Sequence, residues 1–104
     1  MSEFVMVVQR QDIPAGVMKE VRYKEESVCL ANIGGKYYAI GNICTHEGGP
    51  LAEGTLQDFE VECPWHNARF DMRTGEVLSP PAEKPVPAYE VMVKEDGIFI
   101  RKIE

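Results

Sequence analysis

Short runs of β-type residues fill the first part of the chain: Phe4 to Gln9, Val17 to Tyr23, Ser27 to Ile33 and Lys36 to Asn42. Their spacing predicts strands, and no helical stripe of apolar positions competes with them. Gly34-Gly35 separates the last two runs and supplies the positive φ angles of a tight hairpin turn, since glycine has no Cβ to clash there. A second hairpin is predicted near the C-terminus, where Tyr89 to Val93 and Ile98 to Ile103 flank Asp96-Gly97. Between these sheet-like ends, residues 43 to 87 change character. Gly48, Gly49, Pro50, Gly54, Pro64, Gly75, Pro80, Pro81, Pro85 and Pro87 break up any long element, leaving loops and short strands at Phe59 to Cys63, Ala68 to Met72 and Glu76 to Leu78. Apolar residues continue through this stretch, so it reads as a small sub-domain on a β base and not as a linker. The pattern predicts an all-β protein, an antiparallel sandwich or partly open barrel.

Composition narrows the setting. With 104 residues, 44% of them hydrophobic and 27% charged, the chain suits one domain with its own core. The longest apolar run is Phe4 to Val8, far short of the ~20 residues needed to cross a bilayer. The N-terminus also lacks the basic flank and apolar stretch of an export signal, so no membrane association and a cytoplasmic location are expected. Three cysteines do not make a disulfide scaffold. A net charge of -6, from 11 Lys plus Arg against 17 Asp plus Glu, argues against nucleic acid as a partner and favours a basic protein surface.

Both histidines lie in the 43 to 87 stretch, and each closely follows a cysteine: Cys44-Thr45-His46 and Cys63-Pro64-Trp65-His66. Sixteen residues, 47 to 62, separate the two pairs, and each pair sits beside residues that make tight loops. Two loops converging on one site would present two thiolates and two imidazoles, a complete ligand set for a borderline or soft metal. Structural zinc fits that count, but zinc sites usually pair Cys with Cys and His with His along the chain. A Cys-His nucleophilic dyad needs only one of the pairs, and a reading as ordinary core or surface residues must explain why all histidines cluster in two loops. The remaining reading is an iron-sulfur cluster in which two histidines replace two cysteines on one iron.

The chain resembles the Rieske ferredoxin family through these two motifs and through Ala68-Arg69-Phe70-Asp71, Thr74-Gly75 and Ser79-Pro80-Pro81-Ala82. The resemblance implies an antiparallel Rieske-type iron-sulfur domain spanning residues 1–104. It would have a β-sandwich base and a cluster-binding sub-domain at about 43–82. It further implies one Rieske [2Fe-2S] cluster per chain, with Cys44 and Cys63 holding the buried iron and His46 and His66 the outer one. Pro80-Pro81 would belong to a third loop covering the cluster. Members from quinol-oxidising complexes carry an extra pair of cysteines where this chain has Gly49 and Trp65, and a serine and a tyrosine where it has Ala68 and Phe70. Without those two hydroxyl donors toward sulfur, the potential is expected in the lower part of the family's range. Asn67 replaces the glycine common in the family, and asparagine tolerates the left-handed conformation better than most residues.

The implied function is that of a soluble, monomeric one-electron carrier, passing electrons from a flavoprotein reductase to a terminal oxygenase and not itself an enzyme. The alternatives are a small subunit of an NAD(P)H-dependent nitrite reductase and a zinc-stabilised interaction module. From Cys44 to His66 the chain holds Glu47, Glu53, Asp58, Glu60 and Glu62 and no Lys or Arg. Those carboxylates form either a solvated loop face or a steering surface for basic partners. Cys29, inside a strand-like run, is expected to be a small core residue and not a ligand. Trp65 is expected to pack against the loops or to shield the cluster from water.

Overall fold

The computed structural model describes residues 3–45, 48–65, 67–80, 82 and 84–103. Its strands are β1 (Val5–Gln9), β2 (Met18–Tyr23), β3 (Glu26–Ile33), β4 (Lys36–Gly41), β5 (Thr55–Gln57), β6 (Glu60–Glu62), β7 (Arg69–Asp71), β8 (Val77–Ser79), β9 (Ala88–Lys94) and β10 (Gly97–Lys102). Among the described residues there is no α-helix, only two single 3-10 turns, Arg10–Asp12 and Leu51–Glu53. All strand pairs are antiparallel, in a six-stranded sheet ordered β1-β10-β9-β4-β3-β2 and a four-stranded sheet ordered β5-β6-β7-β8. The all-β antiparallel expectation therefore holds.

The large sheet curls. Tyr23 on β2 donates its hydroxyl to the Glu3 carbonyl just before β1 at 3.1 Å, yet the two edge strands do not pair, so the curl stops short of a closed barrel. Inside the curl Ile13, Val21, Tyr23, Val28, Leu30, Ala39, Tyr89, Ile98 and Ile100 form one apolar core. A second core lies on the other side of β3 and β4. There Cys29, Ala31 and Ile40 meet Cys44, Leu51, Val61, Cys63, Ala68, Phe70, Met72, Ala82 and Val86. Strand β3 is buried on both faces, which is why Val28-Cys29-Leu30-Ala31 reads as an unbroken apolar run and not as an alternation.

Both ends of the smaller unit are fastened to neighbouring strands of the large sheet. The chain leaves at the end of β4 and returns into β9, which pairs with β4 at Ala39–Tyr89 and Ile40–Ala88. At the exit Gly41 donates its N–H to the Pro87 carbonyl at 2.8 Å. At the far end Phe59 packs edge-to-face with Tyr38 of β4, ring centroids 5.9 Å apart, and the Arg73 guanidinium lies over the Phe59 ring, 4.4 Å from its centroid.

Four two-residue turns join the simple hairpins, and only one is the glycine pair predicted. Gly34-Gly35 adopts φ 65° and 93°. The C-terminal turn is Glu95-Asp96, not Asp96-Gly97: Gly97 already belongs to β10 and pairs with Lys94, while Glu95 takes φ 57°. Gly97 serves packing, since a Cβ there would lie 3.1 Å from the Phe99 ring and 3.4 Å from the Met6 sulfur. Lys24-Glu25 and Asp58-Phe59 make the other two turns, with φ 57° at Lys24 and 54° at Asp58. Neither carries a glycine signal, and the three-residue strand β5 was likewise invisible to pattern.

Gly75 is the glycine whose conformation the smaller unit needs. It has φ 81°, and its carbonyl accepts the Val86 N–H at 3.0 Å, so the turn before β8 holds the segment that returns to β9. A Cβ at this position would strike the Val86 carbonyl oxygen. Gly75→Ala is expected to cost ~1–3 kcal/mol, from positive-φ strain plus displacement of that segment. Urea unfolding followed by far-ultraviolet circular dichroism should show a lower midpoint with an unchanged m-value.

Candidate metal centre

The first ligand loop leaves the end of β4 and is cinched at its neck. Ile43 and Pro50 form an isolated antiparallel bridge, and the Cys44 N–H donates to the Gly49 carbonyl at 2.8 Å. The Cys44 carbonyl in turn accepts the Gly48 N–H at 2.9 Å, a tight return that Gly48 permits with φ 79°. Beyond the neck, the Thr45 hydroxyl donates to the Lys84 carbonyl at 2.6 Å, tying this loop to the segment that leads back to β9.

The second loop joins β6 to β7. It is closed by the Cys63 N–H donating to the Ala68 carbonyl at 2.7 Å, and Asn67 turns the chain with φ 61°. Asparagine thus occupies the left-handed position, the conformation expected of it. The Trp65 N–H lies 3.4 Å from the Cys63 sulfur and donates to it. A backbone donor aimed at sulfur favours the thiolate, the form that binds metal.

The two loops meet at their cysteines. Cys44 and Cys63, 2% and 1% exposed, are members of the same apolar core. Gly49 of the first loop lies directly against the second: a Cβ there would sit 2.7 Å from the Cys63 sulfur and 3.1 Å from the Trp65 ring. The absence of a side chain at 49 is what lets the loops nest. His46 and His66, the other two expected ligands, lie outside the described residues, as does Pro81 of the expected third loop. Among the described residues no three metal-ligating side chains converge, so the described part of the centre is the cysteine pair.

The surroundings suit a soft metal group and little else. The only buried polar residues described are Asn32 and Asn42, so no described carboxylate shares this core with the thiols. Ala68 and Phe70 are fully buried in it and present no hydroxyl. The donor chemistry therefore fits an iron-sulfur cluster held by two thiolates from this core. Cys29 belongs to the same core but sits on β3, where burial pushes its thiol pKa up to about 12. Its sulfur lies 3.8 Å from that of Met18, as befits a core residue. Trp65 is 48% exposed, one face against Gly49 and the other toward solvent.

The acidic stretch is less bare than its sequence suggests. Register places Arg69 of β7 directly opposite Glu62 of β6, and its guanidinium lies 3.3 Å from Glu62 and 3.7 Å from Glu60. These exposed pairs add little stability but offset two of the five carboxylates. The cation that answers this stretch stands three residues beyond His66, and only strand register brings it opposite the carboxylates. Sequence reasoning also missed the hydroxyl tether of Thr45, because the partner is a backbone carbonyl 39 residues away.

Comparison with known proteins agrees with this geometry. Residues 3–90 match the Rieske [2Fe-2S] domain. The ferredoxin component of a 2,4-dinitrotoluene dioxygenase system from Burkholderia sp. (strain RASC) is 31% identical over 97% of this chain and 98% of its own length. The 3-phenylpropionate/cinnamic acid dioxygenase ferredoxin subunit of Shigella boydii serotype 4 (strain Sb227) is 39% identical over 86% of this chain and 84% of that protein. Among solved structures, the ferredoxin of carbazole 1,9a-dioxygenase from Nocardioides aromaticivorans IC177 superposes with a TM-score of 0.90 at 33% identity, covering 93% of this chain and 95% of that one. Taken with the paired buried thiols, these likenesses make the chain a member of the Rieske [2Fe-2S] family, a ferredoxin that carries electrons on its cluster and is not a catalytic enzyme.

Proposed function

We propose that Cys44, His46, Cys63 and His66 hold one [2Fe-2S] cluster per chain, and that the protein carries single electrons from a flavoprotein reductase to a terminal oxygenase. The observation that carries this reading is the burial of Cys44 and Cys63 in one core from two nested loops. The bound cluster supplies reversible one-electron chemistry; the chain supplies ligands, a dry surround and a half-exposed surface at Trp65. Support for an oxygenase as acceptor comes from relatives named as ferredoxin components of dioxygenase systems. A solved complex of oxygenase and ferredoxin in carbazole 1,9a-dioxygenase adds to it, its matching chain 30% identical to this one with a TM-score of 0.88. We further propose a single domain over residues 1–104 with the cluster-binding part at about 43–82, acting as a cytoplasmic monomer and binding no nucleic acid. No helix among the described residues is long and apolar enough to cross a membrane.

Hydrogen bonds to sulfur draw off negative charge and favour the reduced state, while an apolar surround disfavours it. Of the side chains flanking the second cysteine loop, Ala68 and Phe70 offer no such donor, which supports a potential in the lower part of the family's roughly -150 to +300 mV range. Potentiometric titration, followed by visible absorption and electron spin resonance, tests the proposal. A one-electron transition in the lower part of that range is expected, with the cluster lost or its spectrum altered in Cys44→Ser and His66→Ala. A protein that stays colourless after anaerobic reconstitution would overturn it in favour of zinc.

The paired change Ala68→Ser with Phe70→Tyr is expected to raise the midpoint potential. The shift should be roughly 60 mV for each new hydrogen bond that favours the reduced state by ~1.4 kcal/mol. An unchanged or lowered potential in a variant with normal cluster content would contradict the low-potential assignment.

A further inference from the structure

Two polar residues are buried among those described, and each sits at one end of the β3–β4 hairpin. Asn32 is at the turn end, 5% exposed, donating its amide to the Ile13 carbonyl at 2.8 Å and accepting the Gly35 N–H at 2.9 Å. Asn42 is at the open end, 1% exposed, where β4 gives way to the first ligand loop. A buried carboxamide is retained only with its hydrogen bonds made, so the partners show what each asparagine organises. For Asn32 they are the chain before β2 and the glycine turn. For Asn42, at the departing end of the loop that carries Cys44, they are Ser27 of β3 and the loop's returning end.

Four hydrogen bonds converge on Asn42. Its N–H donates to the Ser27 carbonyl at 3.0 Å and its carboxamide Nδ2 to the Ser27 hydroxyl oxygen at 3.0 Å, fastening the departing chain to β3. Its carbonyl accepts the Leu51 N–H at 2.7 Å and its Oδ1 accepts the Ala52 N–H at 2.7 Å, fastening the returning chain to the same residue. The orientation of the carboxamide follows from its partners, because a backbone N–H can only donate and must face the oxygen. Ser27 accepts from Asn42 and donates its own hydroxyl to the Glu20 carboxylate of β2, so a directed strut runs from the sheet edge to the loop neck. Leu51, fully buried beside Cys44 in the second core, is held by the same residue.

From this arrangement we infer that Asn42 is the positioning residue of the metal centre, fixing the departure and return of residues 43–50 against β3. The Cys44 thiol is thereby held to the core that Cys63 enters from the other sheet. Loss of the carboxamide removes the bonds to the Ala52 N–H and the Ser27 hydroxyl and leaves Leu51 tied only to the backbone carbonyl of residue 42, so the return half of the loop is loosened against β3. The inference rests on Cys44 being a ligand. Asn32 supplies an internal control: it is also a buried, doubly bonded asparagine, but its partners lie away from both cysteine loops.

The test compares holoproteins of Asn42→Ala, Asn32→Ala and Asn42→Asp by thermal unfolding, midpoint potential, electron spin resonance of the reduced form and the rate of bleaching by a chelator. Both alanine variants are expected to lower the unfolding temperature. Asn42→Ala alone is expected to move the potential and the resonance signal and to bleach about tenfold faster, the factor that ~1.4 kcal/mol produces. Asn42→Asp keeps an acceptor for the Ala52 N–H and should recover most of the slow bleaching. Should Asn42→Ala not fold, Ser27→Ala removes only the remote end of the strut and is expected to shift the potential and bleaching in the same direction. Cluster properties in Asn42→Ala, or in Ser27→Ala in its place, that match those of Asn32→Ala would overturn the inference. A Cys44→Ser protein with an unaltered spectrum would instead overturn the ligand assignment, so the two failures are told apart.

Discussion

Strand β3 has to bury both of its faces, and the layout of the molecule follows from that. Val28 and Leu30 enter the core inside the curled sheet, while Cys29 and Ala31 enter the core beneath the cysteine loops. One strand is thus a wall shared by two cores, and any movement of the smaller unit must disturb packing on the far side of that wall. Small residues suit this wall: Ala31, Cys29 and, on β4, Ala39 let bulky groups such as Phe70, Leu51 and Tyr89 approach from either side. The smaller unit then needs only short strands of three residues, because it borrows a finished surface to pack against.

A carrier of single electrons benefits from a centre whose surroundings do not rearrange when charge arrives, and the attachments of the loops provide that. The first loop is cinched between Cys44 and Gly49, the second between Cys63 and Ala68, and Thr45 ties the first to the returning chain at Lys84. The first two ties are backbone amide-to-carbonyl bonds and the third a neutral hydroxyl on a carbonyl, so they hold geometry without adding a formal charge near the thiols. Glu60 and Glu62 lie on the face of β6 opposite buried Val61, and Arg69 balances both across the β6–β7 register. These charges therefore stay at the surface, where solvent screens them, and the described core around the cysteines stays apolar.

How much was legible beforehand depended on whether the signal was local. Strand runs, the Gly34-Gly35 turn and the left-handed tolerance of Asn67 are matters of a few adjacent residues, and their conformations are those expected. The C-terminal turn slipped by one residue because Gly97 looks like a turn glycine. The tight space at Gly97 is set by Phe99, two residues along β10, and by Met6 from the paired strand β1. Turns at Lys24-Glu25 and Asp58-Phe59 gave no composition signal, since strand pairing on either side enforces their positive φ.

The site divides in the same way. Chain spacing alone determined which residue types form the two motifs and what class of metal group thiolate and imidazole would bind, because ligand chemistry is a property of the side chains. Tertiary structure decided that Cys44 and Cys63 reach one core from two nested loops while Cys29 enters the same core from strand β3, all three buried. It also decided that Gly49 is the gap through which the loops nest, that Arg69 answers the acidic stretch, and that Asn42 closes the neck. The physical reason is that each of these depends on strand register or on contact between segments distant in the chain, which residue order does not encode locally and only packing selects.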